Sequence, residues 1–207
     1  MSTPFIVNDN RSKFIPKKNL QLSEFEGNIL NFHNQSREEN GLPPLQYDKK
    51  LAQLAEDWGK FLKEDEKCTI RHPLLNQSER NKYLPGTIGQ NLYVAHGYPN
   101  DPSSGKDAVQ KWYSECNIYK KPLEGQELPD KFMEIGHFTQ MLWKDAKKVG
   151  CARIDCPKSQ RTNLGNIVDA KGSIVACNYD KGNVGGEFQS KVPWPVKCTD
   201  KNLWIGA

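Results

Sequence analysis

Six cysteines, none of them in CxxC spacing, set the terms on which this chain can fold. Cys68, Cys116, Cys151, Cys156, Cys177 and Cys198 are even in number and lack the close pairing of a zinc knuckle or a thiol redox motif. That usage points to a fully paired framework formed in an oxidising, extracellular compartment. Spacing alone leaves every pairing open. At 207 residues one domain of ordinary size is expected. Lys+Arg 29 against Asp+Glu 25 gives a net charge of +4, with both signs mixed along the chain and no basic tract of the kind a nucleic-acid arm carries. Apolar runs of a few residues fall far short of the ~18 of a membrane span. These features exclude a transmembrane segment and speak against nucleic acid as a partner.

The chain opens with Met1-Ser-Thr-Pro, which is polar and carries no apolar signal core, so Met1 is read as starting a mature form whose signal has gone. Three N-glycosylation triplets occur, at Asn10, Asn34 and Asn76. Residues 1–21 are polar with Lys and Pro and are read as an extended arm. Leu22, Phe25, Ile29, Phe32 and His33 recur at helical spacing and predict a helix over about 22–40, ended near Gly41 with Pro43 and Pro44 beyond. Asp48 caps a second helix with the stripe Leu51, Leu54, Ala55, Trp58, Phe61 and Leu62.

Residues 73–104 are rich in Pro, Gly and Asn, and read as loop around a short extended piece at Gly89–Ala95. Ser103 or Ser104 opens a third helix through Ala108, Val109, Trp112, Tyr113 and Cys116. Irregular chain is expected over 120–136, then strands at Val149–Asp155 and Ser173–Tyr179 separated by a polar loop. The tail from Lys191 to 207 carries two prolines, two tryptophans and Cys198. Helices interspersed with strands suggest a three-layer α/β/α sandwich.

Five segments then stand out together. They are His33-Asn-Gln-Ser-Arg37, Gly89-Gln-Asn-Leu92, Trp112-Tyr-Ser-Glu115, Gly136-His-Phe-Thr-Gln-Met-Leu-Trp143, and Val175-Ala-Cys-Asn-Tyr179 followed by Gly182-Asn183. In order and spacing they resemble the CAP superfamily of cysteine-rich secretory proteins, venom antigen 5 and pathogenesis-related proteins, over roughly 22–190. The resemblance implies an α/β/α sandwich with a surface cavity presenting two histidines and two acids. Carried over by position, these are His72, His137 and Glu115, with Gln90 where the family usually has Glu. Gln90 cannot ionise, so the cavity lacks one charge and one possible general base.

His72, Glu115 and His137 are a candidate site for Zn²⁺ or Mg²⁺. The alternative is a polar network in which they and Gln90 satisfy one another. No motif places a Ser or Cys nucleophile and HExxH is absent, so no enzyme activity and no required cofactor are expected. Asn91, Thr139, Gln140, Asn178 and Tyr179 are read as pinning loops to the sandwich. Arg37 and Glu38 are read as a solvated or salt-bridged face, His33 as a satisfied structural histidine, and His96 is given no role. The resemblance also implies the bridges Cys151–Cys177 and Cys68–Cys156, which leaves Cys116 with Cys198.

Members resembling this chain bind lipid in two places. The sterol loop corresponds to Tyr119, Leu123, Leu128, Phe132, Met133 and Ile135. The fatty-acid channel corresponds to Phe25 and Ile29 on the first helix with Val109 and Trp112 on the third. The expected function is a secreted, non-enzymatic carrier of sterol or fatty acid. An effector acting on an extracellular protein partner is the second reading, and a metal-dependent hydrolase the third.

Overall fold

A computed structural model describes residues 21–73, 76–96, 104–123, 126–156, 160–161, 167–168 and 172–198. The expected arm, the Asn10 triplet and the end of the tail lie outside the described residues.

The first helix, α1 (Glu24–Glu39), begins at Ser23, whose hydroxyl accepts from Glu26 N while the Glu26 carboxylate takes Ser23 N, a reciprocal capping box. A two-residue strand β1 (Gln46–Tyr47) leads into α2 (Lys49–Glu64), where the Asp48 carboxylate accepts from Lys50 N and Leu51 N. The stretch read as loop contains a further helix, α3 (Gln77–Tyr83), capped by Asn76. Its seven residues include a single buried one, Tyr83, so no apolar periodicity announces it.

Next come β2 (Gly89–His96), α4 (Ser104–Ser114) and a 3₁₀ turn at Glu115–Ile118. Then α5 (Phe132–Met141) overruns the stretch expected to be irregular. Its last seven residues include five buried ones on all sides, Ile135, Phe138, Thr139, Gln140 and Met141, so it has no polar face for a pattern to reveal. After β3 (Lys148–Cys156), the polar segment holds a small ribbon, β4 (Gln160–Arg161) with β5 (Ile167–Val168). The chain continues through β6 (Gly172–Tyr179) and a last turn, α6 (Phe188–Lys191).

The main sheet runs β1-β3-β6-β2, with β6 antiparallel to both neighbours and buried at all eight positions. Side chains alternate across it. Ile174 and Ala176 join Ala55, Trp58 and Leu62 of α2 on one face. Val175, Cys177 and Tyr179 join Ile29, Val109, Trp112 and Phe138 from α1, α4 and α5 on the other. The result is an α/β/α sandwich, closed by three bridges: Cys68–Cys156, Cys116–Cys198 and Cys151–Cys177. The last joins directly opposed residues of β3 and β6.

One close approach sets the distance of α2 from the sheet. A Cβ built on Gly150 of β3 would run into the Ala52 nitrogen and the Asp48 carbonyl oxygen, and would sit 2.7 Å from the Leu51 carbonyl carbon. All three are backbone and cannot swing aside. Gly150→Ala should therefore lift the start of α2 from β3 and cost about 3 kcal/mol, the upper part of the range for overpacking. Urea unfolding of the variant beside wild type measures it, and a loss below about 0.5 kcal/mol would show that the helix yields freely.

Candidate functional site

Two chains of polar side chains meet at β2, the edge strand of the sheet, one on each face. Gln90 and Asn91 are consecutive in β2 and so point to opposite sides.

On the α2 face, Asn178 Nδ2 donates to Leu51 O (3.4 Å), and Gln90 Nε2 donates to Asn178 Oδ1 (2.9 Å). That leaves Gln90 Oε1 facing His72 Nδ1 at 3.0 Å. An oxygen can only accept, so His72 carries its proton on Nδ1 and turns a bare Nε2 outward. Desolvation holds His72 below the ordinary histidine pKa, with His137 acting in the same sense and the Gln90 bond opposing both. The ring still presents an exposed outer edge. Arg71 fixes this corner. Its guanidinium pairs with Glu79 and Glu66, lies 4.9 Å from the Trp58 ring, and its carbonyl accepts from Trp58 Nε1.

On the other face, Glu115 at the start of the 3₁₀ turn accepts from His137 Nδ1 (2.6 Å) and from Phe138 N (3.0 Å). The His137 ring stacks on Trp112 at 6.1 Å. Asn91 Nδ2 donates to His137 O and to the Tyr179 hydroxyl, 3.1 Å each. That hydroxyl donates to His33 Nε2 (2.7 Å), and His33 Nδ1 donates to Ile29 O (2.7 Å). Burial drives the His33 pKa down to about 4, opposed by the Ile29 bond and assisted by Arg37. The chain therefore holds a neutral imidazole.

The structure unites His72 with Gln90, and Glu115 with His137, but does not assemble His72, Glu115 and His137 into one ligand set. Among the described residues no three His, Cys, Asp or Glu side chains are grouped to hold a metal ion. Glu115 instead acts as partner to His137, one oxygen accepting from His137 Nδ1 and the other from the Phe138 amide. Each ring is oriented through its Nδ1, His72 by Gln90 and His137 by Glu115, the way outer-shell partners orient metal-binding histidines.

Three other expectations are corrected. Arg37 is neither solvated nor salt-bridged: it is fully buried, and donates to the carbonyls of Pro43 (2.8 Å), Met141 (2.9 Å), Trp143 (3.0 Å) and Ala146 (3.2 Å). The spacing Ile29, His33, Arg37 places it on the buried stripe of α1, a signal the residue type conceals. The Asn34 triplet is not available for glycosylation in the folded chain, since its amide exchanges two hydrogen bonds with Leu45 backbone and is 6% exposed. Asn76 is exposed, with its Oδ1 capping α3.

The third correction concerns the channel. Ile29, Val109 and Trp112 are core residues with no opening at these positions, and Phe25 packs against the same core. A Cβ on Gly105 would come within 3.2 Å of both Phe25 and Ile29, so α1 and α4 already touch there.

The connection 119–135 divides in two. Tyr119 and Ile135 are buried, and Phe132 packs edge-on against Phe188 at 5.6 Å. Leu123, Leu128 and Met133 face outward, 77%, 47% and 88% exposed.

Comparison with known proteins agrees with the architecture. A model described as CAP, the cysteine-rich secretory protein family, matches residues 30–179. Pathogenesis-related protein 1A of Nicotiana tabacum is 31% identical over 163 residues, covering 76% of this chain and 76% of that protein. Cysteine-rich secretory protein 3 of Equus caballus is 28% identical over 162 residues, covering 75% of this chain and 59% of that protein. The crystal structure of NaASP2 with Zn²⁺ superposes with a TM-score of 0.57 at 18% identity, covering 86% of this chain and 91% of that one, which is a likeness of fold.

Proposed function

The chain belongs to the cysteine-rich secretory protein (CAP) family, and on that premise we propose that it is a secreted, non-enzymatic lipid-binding protein that takes sterol at the 119–135 connection. The observation that carries this reading is the outward set Leu123, Leu128 and Met133 on a segment anchored from beneath by Tyr119, Phe132 and Ile135. A contiguous apolar patch left on a surface marks a binding site, and these three side chains would supply one where the connection brings them together. Export is supported by the three disulfides, which form and persist in oxidising compartments. The filled contact between α1 and α4 favours sterol over a fatty acid in the expected channel.

The absence of catalysis is supported by Gln90, which removes an acid from the cavity, and by the commitment of Glu115 to His137 and Phe138 N. The His72 and His137 Nε2 atoms are suited to a divalent ion such as zinc, which would add charge and fix the two rings. No such ion is needed for the lipid surface.

The test is a titration of delipidated protein with labelled cholesterol, with unlabelled cholesterol and palmitate as competitors, on wild type and on Leu123→Asp/Met133→Asp. Burying two such side chains against a ligand contributes about 3 kcal/mol, so the double variant should bind roughly 100-fold more weakly. Its thermal midpoint should stay within about 2 °C, because both side chains face solvent. Phe132 is the wrong place for the charge, since it supports the core at Phe188. Unchanged affinity in the variant would remove the connection from the reading. No saturable sterol binding by wild type would remove the reading itself, and turn attention to an extracellular protein partner.

A further inference from the structure

The three bridges are not equivalent. Cys68, Cys156, Cys151 and Cys177 are all 5% exposed or less, and two of the bridges lie wholly within this group. The third joins Cys116, 3% exposed, to Cys198, an exposed residue of the tail. Its position gives it leverage. Cys116 sits between Glu115, the carboxylate on His137, and Tyr119, the root of the apolar connection. Beyond Val192, the described tail is held by Val196, which packs half-buried against the core, and by three further contacts. Lys197 N donates to Asn40 Oδ1 (2.8 Å), the Tyr113 hydroxyl donates to Lys197 O, and Trp194, 49% exposed, leans edge-on against Tyr119 at 6.0 Å. Upstream the chain is firmly seated: Val192 is 1% exposed, and Lys144 N bonds Lys191 O.

We infer that Cys116–Cys198 is a reductively released strap: opening it frees residues 194–198 and lifts Trp194 off Tyr119, while the sandwich and its two buried bridges stay closed. The reductant is a dithiol. Its thiolate attacks Cys198 Sγ, forming a mixed disulfide and expelling the Cys116 thiolate. Its second thiolate then closes on the first sulfur and expels the Cys198 thiolate. Two electrons pass from the dithiol to the bridge, the dithiol leaves as its cyclic disulfide, and its two protons go to the cysteines. Access decides which bridge is attacked, because the entering thiolate must approach along the sulfur–sulfur axis. Release acts locally, since among the described residues the freed segment would keep the half-buried packing of Val196, two hydrogen bonds of Lys197 and one ring contact of Trp194. This inference does not depend on lipid binding.

The experiment treats the native full chain with increasing dithiothreitol at neutral pH, alkylates free thiols and maps the labelled peptides by mass. Label should reach completion on Cys116 and Cys198 while Cys68, Cys151, Cys156 and Cys177 remain unlabelled. In parallel, Trp204→Phe protein is followed by acrylamide quenching. Trp58, Trp112 and Trp143 are buried, so a rise in the quenching constant of the accessible indole at the same dithiothreitol concentration reports Trp194, half-exposed while the strap is closed. Cys116→Ser/Cys198→Ser should show that quenching without reductant. Six cysteines labelled in parallel, buried bridges opening first, or an opened strap with unchanged quenching would each overturn the inference.

Discussion

Replacing Arg37 with methionine is expected to lower the unfolding free energy by about 4 kcal/mol, the largest single-residue effect in this protein. Methionine keeps much of the volume, so the loss comes from polarity. Three carbonyl oxygens, those of Pro43, Met141 and Ala146, lose the guanidinium donor at a site closed to water, while Trp143 O loses one of two and keeps Ala146 N. Each buried acceptor left unpaired costs about 1–3 kcal/mol, and partial relaxation of three of them gives the figure above. Burial holds the guanidinium down to about 10, still far above any working pH, so the charge persists. The positive group also lies beyond the C-terminal turn of α5, where the helix dipole favours it. Arg37→Lys should recover part of the loss, because an ammonium supplies a point charge but not the planar fork that reaches four oxygens. Urea unfolding of wild type, Arg37→Lys and Arg37→Met checks the order. A methionine variant within about 1 kcal/mol of wild type would show that the carbonyls find other partners.

The second large effect is acid sensitivity centred on His33. Its folded pKa is about 4, against about 6.5 in an unfolded chain. The unfolded state therefore takes up a proton first as pH falls, and the folded state must stay neutral. The stability this histidine contributes is whole above about pH 6.5, declines as pH falls, and is lost by about pH 4. A separation of this size corresponds to about 3 kcal/mol. Proton uptake would also break the structure's own logic, since a charged ring has no lone pair to receive the Tyr179 hydroxyl, which in turn accepts from Asn91. Carboxylates such as Glu26 and Asp48, held below their ordinary range in the fold, add acid sensitivity at lower pH. The measurement is accordingly a difference: wild type and His33→Gln unfolded in urea from pH 7.5 to 4. The gap between them should narrow by about 3 kcal/mol, and a gap constant with pH would refute the assignment.

Much of the architecture was legible because it is written in strong local signals. Asp48 followed by the stripe Leu51, Ala55, Trp58 and Leu62 gives α2 its cap and its buried face. Alternation at Ser173–Tyr179 gives β6. The weak signals failed for identifiable reasons. α3 buries one residue, and α5 buries residues on all sides, so neither offers a contrast between faces. β1 and the β4–β5 ribbon are two residues long, below any period.

For the site, the resemblance to the CAP family supplied the cast, His72, Gln90, Glu115 and His137, and residue type added that Gln90 cannot ionise. Tertiary structure decided the arrangement. The alternation of β2 sends Gln90 and Asn91 to opposite faces, so His72 is tied to Asn178 and α2, while His137 is tied through Asn91 to Tyr179 and His33. Composition could count charged residues, but it could not say that Arg37 would be enclosed by backbone carbonyls or that Glu115 would be used up by its neighbours. Residue type fixes which bonds a group is able to make. Which of them it does make depends on the partners that packing brings within 3 Å, and at this site His33 and Tyr179 are separated in the chain by 146 positions.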